Sequence, residues 1–168
     1  MPLTSSTPES SGLLAVLRPL LVKHEDRRLR VYLDSKGIPS IGIGFNLNRS
    51  DARAICQQCG ADYDALRAGT AVLTDAQCEF IYEHCVIEVL QWIVKLFPQW
   101  TQFSTNRMAA LVDMGFNLGP ARFGEFHQMV QALRAQNWPL AAEQALNSSW
   151  AGQVGSRAHD DVALILAG

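Results

Sequence analysis

No run of ~18 apolar residues, the length that a membrane-spanning helix requires, occurs in this 168-residue chain, so membrane insertion is not expected. An excess of one charge is missing as well. Fourteen Lys and Arg stand against 16 Asp and Glu, a formal net charge of −2. That balance gives no electrostatic footing for nucleic acid or an anionic membrane. The opening MPLTSSTPESSG has neither the basic start nor the hydrophobic core of a Sec signal peptide, and reads as a loose polar tail. If the protein acts outside the cytoplasm, other machinery must take it there.

Cysteine is scarce, with four residues at positions 56, 59, 78 and 85. Cys56-x-x-Cys59 is half of a zinc or redox signature, but no second CxxC follows and no Cys/His pair has finger spacing. Cys78 and Cys85, seven apart on a helix, would be separated by about 10 Å along its axis, too far to bond. The expectation is four reduced thiols filling apolar space, with no metal and no cofactor. A cysteine-based metal or redox module is the competing reading, which metal analysis under reducing conditions would decide. Internal repeats are also absent from the sequence, as is low complexity beyond the tail.

What the chain does have is enough apolar material for a core: 48 % hydrophobic residues against 18 % charged. The segment LRPLLVKHEDRRL reads as a helix with Leu17, Leu20, Leu21 and His24 on one face and Pro19 in its first turn. VYL and PSIGIGF read as short strands around the turn Asp34-Ser-Lys-Gly37. SDARAICQQCG follows as a helix with Ser50 as N-cap and Gly60 past its end. Thr74 and Gln77 form a capping box that opens the longest helix, which stops at Pro98. STNRMAALVDMGFNLG, FGEFHQMVQALRAQ, WPLAAEQALN and SRAHDDVALIL are helical in pattern. The expected fold class is therefore α+β, mostly α-helical and two-lobed. A tail over 1–12 precedes a single domain over 13–168. That domain has a β-hairpin lobe (about 17–73), a connecting helix (about 74–97) and a helical lobe (about 98–168).

The stretch KHEDRRLRVYLDSKGIPSIGIGFNLNR concentrates chemistry. Singly, each residue has a bland explanation: Glu25 as an exposed charge, Asp34 as a turn opener, Ser40 as a polar strand residue, Gly42 and Gly44 as accommodations of sheet twist. Together they form a sharper pattern. Two carboxylates flanking a sugar chain can divide glycosidic hydrolysis between a proton donor and a group that activates water or attacks the sugar. A nearby hydroxyl can place the water, and the glycines leave room for a bulky sugar chain over the sheet.

The stretch HEDRRLRVYLDSKGIPSIGIGF resembles the catalytic signature of phage-type lysozymes, glycoside hydrolase family 24. In that signature a Glu is followed after eight residues by Asp, and after five more by Thr or Ser entering a G-x-G strand. Glu25, Asp34 and Ser40 stand in register with it. RMAALVDMGFNLG is similar to the family's buried central helix, and the sequence from FGEFHQ to Trp150 to the following helices and a cleft tryptophan. QVGSR resembles a segment carrying a sugar-binding glutamine and an arginine that serves the catalytic glutamate. Residues 50–70 match poorly. Phe45 stands where a well-known relative has histidine, and Lys36 where it has an acidic residue. That relative is also strongly basic, unlike this chain.

The resemblance implies a muramidase that degrades the bacterial cell wall by cutting the β-1,4 bond from N-acetylmuramic acid to N-acetylglucosamine. Glu25 would be the general acid, Asp34 the group that polarises water, Ser40 its helper, and Arg157 the partner of Glu25. Gly44, Phe116, Asn117, Trp150 and Gln153 would line the saccharide site. The implied partner is the peptidoglycan glycan chain, met by a monomer in the periplasm or outside the cell after synthesis in a host cytoplasm. Release by a holin, carriage on a virion and delivery by a secretion machine are the open routes, with an immunity or inhibitor protein as a further partner. A catalytically silent peptidoglycan-binding protein of the same fold is the alternative.

Overall fold

The computed structural model of the chain describes residues 8–168. Residues 1–7 of the expected tail lie outside the described residues, and the remainder of that tail belongs to helix α1, Pro8–Glu25. Pro19 accordingly sits inside α1 and not in its first turn. There it removes the N–H that would bond Ala15, at a cost of about 3 kcal/mol in a helix interior. Both Pro19 and Ala15 are exposed, so the orphaned carbonyl can bond water. Leu13, Leu17 and Leu21 are buried on the opposite side. At roughly 1.5–3 kcal/mol each, their burial outweighs the proline.

Helix α1 ends at Glu25 because Asp26 turns left-handed (φ 65°), a conformation its short polar side chain tolerates. The Asp26 carboxylate accepts from the N–H of Arg27 and from Nε of Arg28, each at 2.8 Å. The expected continuation of the helix through Leu29 is replaced by strand β1, Arg28–Leu33. Strands β2, Pro39–Gly42, and β3, Phe45–Asn46, complete an antiparallel sheet in the order β1-β2-β3. Tyr32 pairs with Ser40, and Ser40 in turn with Asn46. PSIGIGF is therefore two strands with a reversal between them, not one.

Helix α2, Ala52–Gln58, is capped by Asp51 and not by Ser50. The Asp51 carboxylate goes to Arg49 at 2.7 and 2.9 Å, so the cap has no side-chain bond. Helix α3, Tyr63–Arg67, was not legible in the sequence; Asp62 caps it through the Ala65 N–H at 3.0 Å. Helix α4, Asp75–Leu96, opens on the expected capping box. The Gln77 N–H donates to Thr74 Oγ1 at 3.1 Å and the Thr74 N–H to Gln77 Oε1 at 2.9 Å.

Two compact units divide the chain. One is Leu21–Val86, which contains the sheet; the other is Ile87–Gly168 with the part of α1 up to Leu20. The core of the first holds Ile41, Phe45, Leu47, Leu66, Leu73 and Ile81. In the second, α5 spans Thr105–Gly124 with a break at Gly119 (φ 71°, ψ 169°) before Pro120. It is followed by α6 His127–Arg134, α7 Trp138–Leu146, α8 Ser149–Val154 and α9 Ser156–Ala167. α5 is buried along much of its length because Gly115 lets α4 come close. A Cβ there would stand 2.9–3.0 Å from Val89, Ile93 and Trp92. Among the described residues no helix is long and apolar enough to cross a membrane.

Candidate active site

The sheet unit carries Glu25, Asp34, Ser40 and Gly44. Glu25, half-buried, is the last residue of α1, so its side chain leaves the helix where the chain turns into β1. Its carboxyl group lies against Gly44. A Cβ built on that glycine would be 2.8 Å from Glu25 Oε2, and the glycine's φ of 66° excludes most other residues anyway. From the sequence, Gly44 leaves room for sugar; in the structure the place a side chain would take on Gly44 lies against the Glu25 carboxyl. A Cβ built on Gly42 would meet only ordinary contacts, Cys78 Sγ at 3.5 Å and Leu73 Cδ1 at 3.7 Å. Just past Glu25, an ion pair from Arg27 to Asp75, in the first turn of α4, fastens the helix end to the same unit.

Asp34 opens the β1–β2 turn and holds it. Its Oδ1 accepts from the N–H groups of Lys36 and Ile38, both at 2.8 Å, while its own N–H donates to Ile38 O at 3.0 Å. Gly37 closes the turn with φ 74°. Among the described residues nothing donates to Asp34 Oδ2, which is left to accept from a ligand or water. Ser40 is 3 % exposed, and its hydroxyl donates to Ile38 O at 3.3 Å, leaving its lone pairs as acceptors.

Tyr32, which no motif in the sequence marks, joins these groups. It is the cross-strand partner of Ser40, and its hydroxyl makes a long bond to Glu25 O at 3.5 Å. Burial, and then the negative charge of Glu25, push the phenol above its ordinary range, so it stays a neutral donor. The available signal was its position two residues before Asp34 on a strand.

The helical unit carries the remaining candidates. Trp150 is 1 % exposed, stacks edge-on against Phe126, and donates its indole N–H to Asn117 Oδ1 at 2.9 Å. Its surface is committed to the core; what it presents outward is an oriented Asn117, which is exposed. Phe116 is partly exposed, and Gln153 is exposed with Oε1 3.4 Å from Arg122. Arg157 is buried. Its Nε donates to Asp113 Oδ2 at 2.8 Å and its Nη2 to Asp113 O at 3.0 Å. Asp113 was missed in the sequence, where its signal is one acid inside the apolar run AALVDMGF.

No disulfide joins the four cysteines, and Cys56, Cys78 and Cys85 are buried. Burial pushes the Cys56 thiol up to about 11, which removes thiolate chemistry at neutral pH. Among the described residues no group of three or more His, Cys, Asp or Glu is placed to hold a metal ion.

Comparison with known proteins gives this arrangement a family. The chain is 27 % identical over 174 residues to the pre-baseplate central spike protein Gp5 of Enterobacteria phage T4, covering 98 % of this chain but 30 % of that protein. It is 22 % identical over 164 residues to probable T4-type lysozyme 2 of Dictyostelium discoideum, covering 93 % of this chain and 96 % of that one. The endolysin of Salmonella phage P22 is 25 % identical over 135 residues, or 79 % of this chain and 80 % of the endolysin. The family model described as phage lysozyme matches residues 22–159, a span that takes in every candidate residue from Glu25 to Arg157. The chain belongs to the phage lysozyme family.

Proposed function

We propose that this chain is a peptidoglycan hydrolase that cuts the β-1,4 bond between N-acetylmuramic acid and N-acetylglucosamine in a single, inverting displacement. Family membership supports hydrolysis of cell wall, as do relatives that bear the names lysozyme and endolysin. The observation that carries the mechanism is the Glu25 carboxyl seated on Gly44, at the head of a hairpin whose first turn presents a second carboxylate, Asp34. Glu25 donates the proton to the leaving oxygen. Asp34, fixed through Oδ1, uses Oδ2 to draw a proton from the attacking water, and the acceptor lone pairs of Ser40 help to hold that water. Direct attack by Asp34 would require the two carboxyl groups to be about 5 Å apart, whereas inversion needs ~6.5–9.5 Å with a water between.

In this reading the side chains of Phe116, Asn117 and Gln153 contact the glycan, and Trp150 acts by orienting Asn117. Arg157 serves as the cation that fixes Glu25. The spike-protein relative supports a virion-borne setting and the endolysin a lytic one.

Mass spectrometry of muropeptides released from defined peptidoglycan tests the reaction, with reducing N-acetylmuramic acid ends expected. Anhydro ends, or cleavage at another bond, would overturn it. Proton NMR of early turnover should show the α-anomer first; an initial β-product would make Asp34 a nucleophile.

A further inference from the structure

The helical unit holds a second buried acid that the proposed reaction does not use. Asp161 on α9 is 1 % exposed, and among the described residues neither of its oxygens accepts a hydrogen bond. A carboxylate ionised in such a place would lose its hydration with nothing to replace it. Among the described residues its charged surroundings are few. On α5 are the carboxyl of Asp113 and, toward the end of α9, Arg107, whose Nε donates to Ile165 O at 2.9 Å; on α9 itself are Arg157, one turn earlier, and Asp160. Of the other helices packed on α9, α7 brings only Glu143, which is exposed, and α8 carries no titratable side chain.

The charges do not balance if both acids ionise. Arg157 supplies one positive charge and is already committed to Asp113, through Nε to Oδ2 at 2.8 Å and Nη2 to the backbone oxygen at 3.0 Å. Two carboxylates against one guanidinium would leave a net negative charge in the core, and two carboxylate oxygens cannot bond each other without a hydrogen between them. A single proton removes both problems. We propose that Asp161 is a positioning residue, a neutral carboxylic acid whose O–H donates to the carboxyl of Asp113 and so holds the carboxylate that clamps Arg157. Burial first, and then the adjacent Asp113, push Asp161 well above the usual carboxylate range, with Arg157 opposing them. The spacing of Arg157 and Asp161, four residues on one helix, puts both on the face that meets Asp113.

The protonation stands independently of the proposed reaction. Its effect on catalysis rests on the reading that Arg157 serves Glu25. Carbon-13 NMR of the aspartate side-chain carboxyls in the full chain, assigned with Asp161→Asn, tests the first part. The Asp161 signal is expected to keep its protonated position after the ordinary aspartates have ionised. A signal that titrates with them near pH ~4 would overturn the proposal.

Unfolding curves give a second readout. An acid whose folded pKa is raised stabilises the fold below its unfolded pKa, and that stability is lost as pH rises toward the folded value. From about pH 4 upward, the wild-type folding constant should fall by about tenfold per pH unit relative to Asp161→Asn, whose amide donates to Asp113 without titrating. Parallel curves would count against it.

On peptidoglycan, Asp161→Ala should lower kcat by about tenfold or more and displace its pH profile with little change in KM, while Asp161→Asn restores both. An unchanged profile in Asp161→Ala removes the positioning role. If Asp161→Ala does not fold, the NMR titration and the Asn variant still decide. An inactive wild type with a protonated Asp161 would sink the proposed function alone; an active wild type with an ordinary Asp161 would sink this inference alone.

Discussion

The sheet unit and the helical unit hold their polar groups by opposite means. In Leu21–Val86 the backbone does the holding: Asp34 is pinned by two N–H groups of its own turn, and Ser40 leans on the carbonyl of Ile38. These side chains are partly open or have lone pairs to spare. In the helical unit the holding is done by burial and by other side chains, Asp113 on Arg157 and Trp150 on Asn117. The first arrangement is local in sequence and suits groups that must touch a substrate. The second depends on helices far apart in the chain, and suits groups that must not move. Damage should therefore appear mainly as lost rate in one unit and as lost stability in the other.

Four substitutions sharpen or break that contrast, taken from the largest effect down. Glu25→Gln should cut turnover on peptidoglycan by about 10²–10⁴-fold with an unchanged thermal midpoint, because the amide keeps the shape but cannot act as the acid. Retention of most of the wild-type rate would remove Glu25 from the mechanism. Asp113→Ala should act mainly on stability and destabilise the fold by about 3–5 kcal/mol in denaturant, since it takes a buried carboxylate partner from Arg157. A loss under 1 kcal/mol would mean that Arg157 does not depend on Asp113.

Gly44→Ala lies between the two. Its Cβ must displace the Glu25 carboxyl, and its φ of 66° costs about 1–2 kcal/mol, so activity should fall further than stability alone explains. Comparing kcat with the fraction folded checks this. The smallest effect belongs to Thr74→Ala, which removes one half of the α4 capping box. About 1 kcal/mol of stability should go, with the specific activity of the folded enzyme intact.

How much was legible from sequence follows the same division. Glu25, Asp34, Ser40 and the α4 capping box lie in short, regularly spaced patterns whose geometry is set by neighbours in the chain, and the structure places them in the elements expected. The reversal after β2 is not legible because its turn depends on Gly42 and Gly44 both taking positive φ, which sequence permits but does not demand. Pro19 misled for the opposite reason. A local rule against proline in a helix was overridden by three leucines buried behind it. Asp161 looks like an ordinary surface acid until tertiary packing removes the water from it, and Asp113 is marked only by the apolar run around it.

The division into units also separates the optical signals of the protein. All four tryptophans, Trp92, Trp100, Trp138 and Trp150, belong to the unit that begins at Ile87, and all three tyrosines, Tyr32, Tyr63 and Tyr82, to Leu21–Val86. Tryptophan emission in a denaturation experiment is therefore a report from the helical unit alone, and tyrosine absorbance a report from the sheet unit. The wild-type chain needs no engineered probe to show whether its halves melt together. Coincident curves from the two chromophores would mark one cooperative transition, and separated curves would identify by colour which half gives way first.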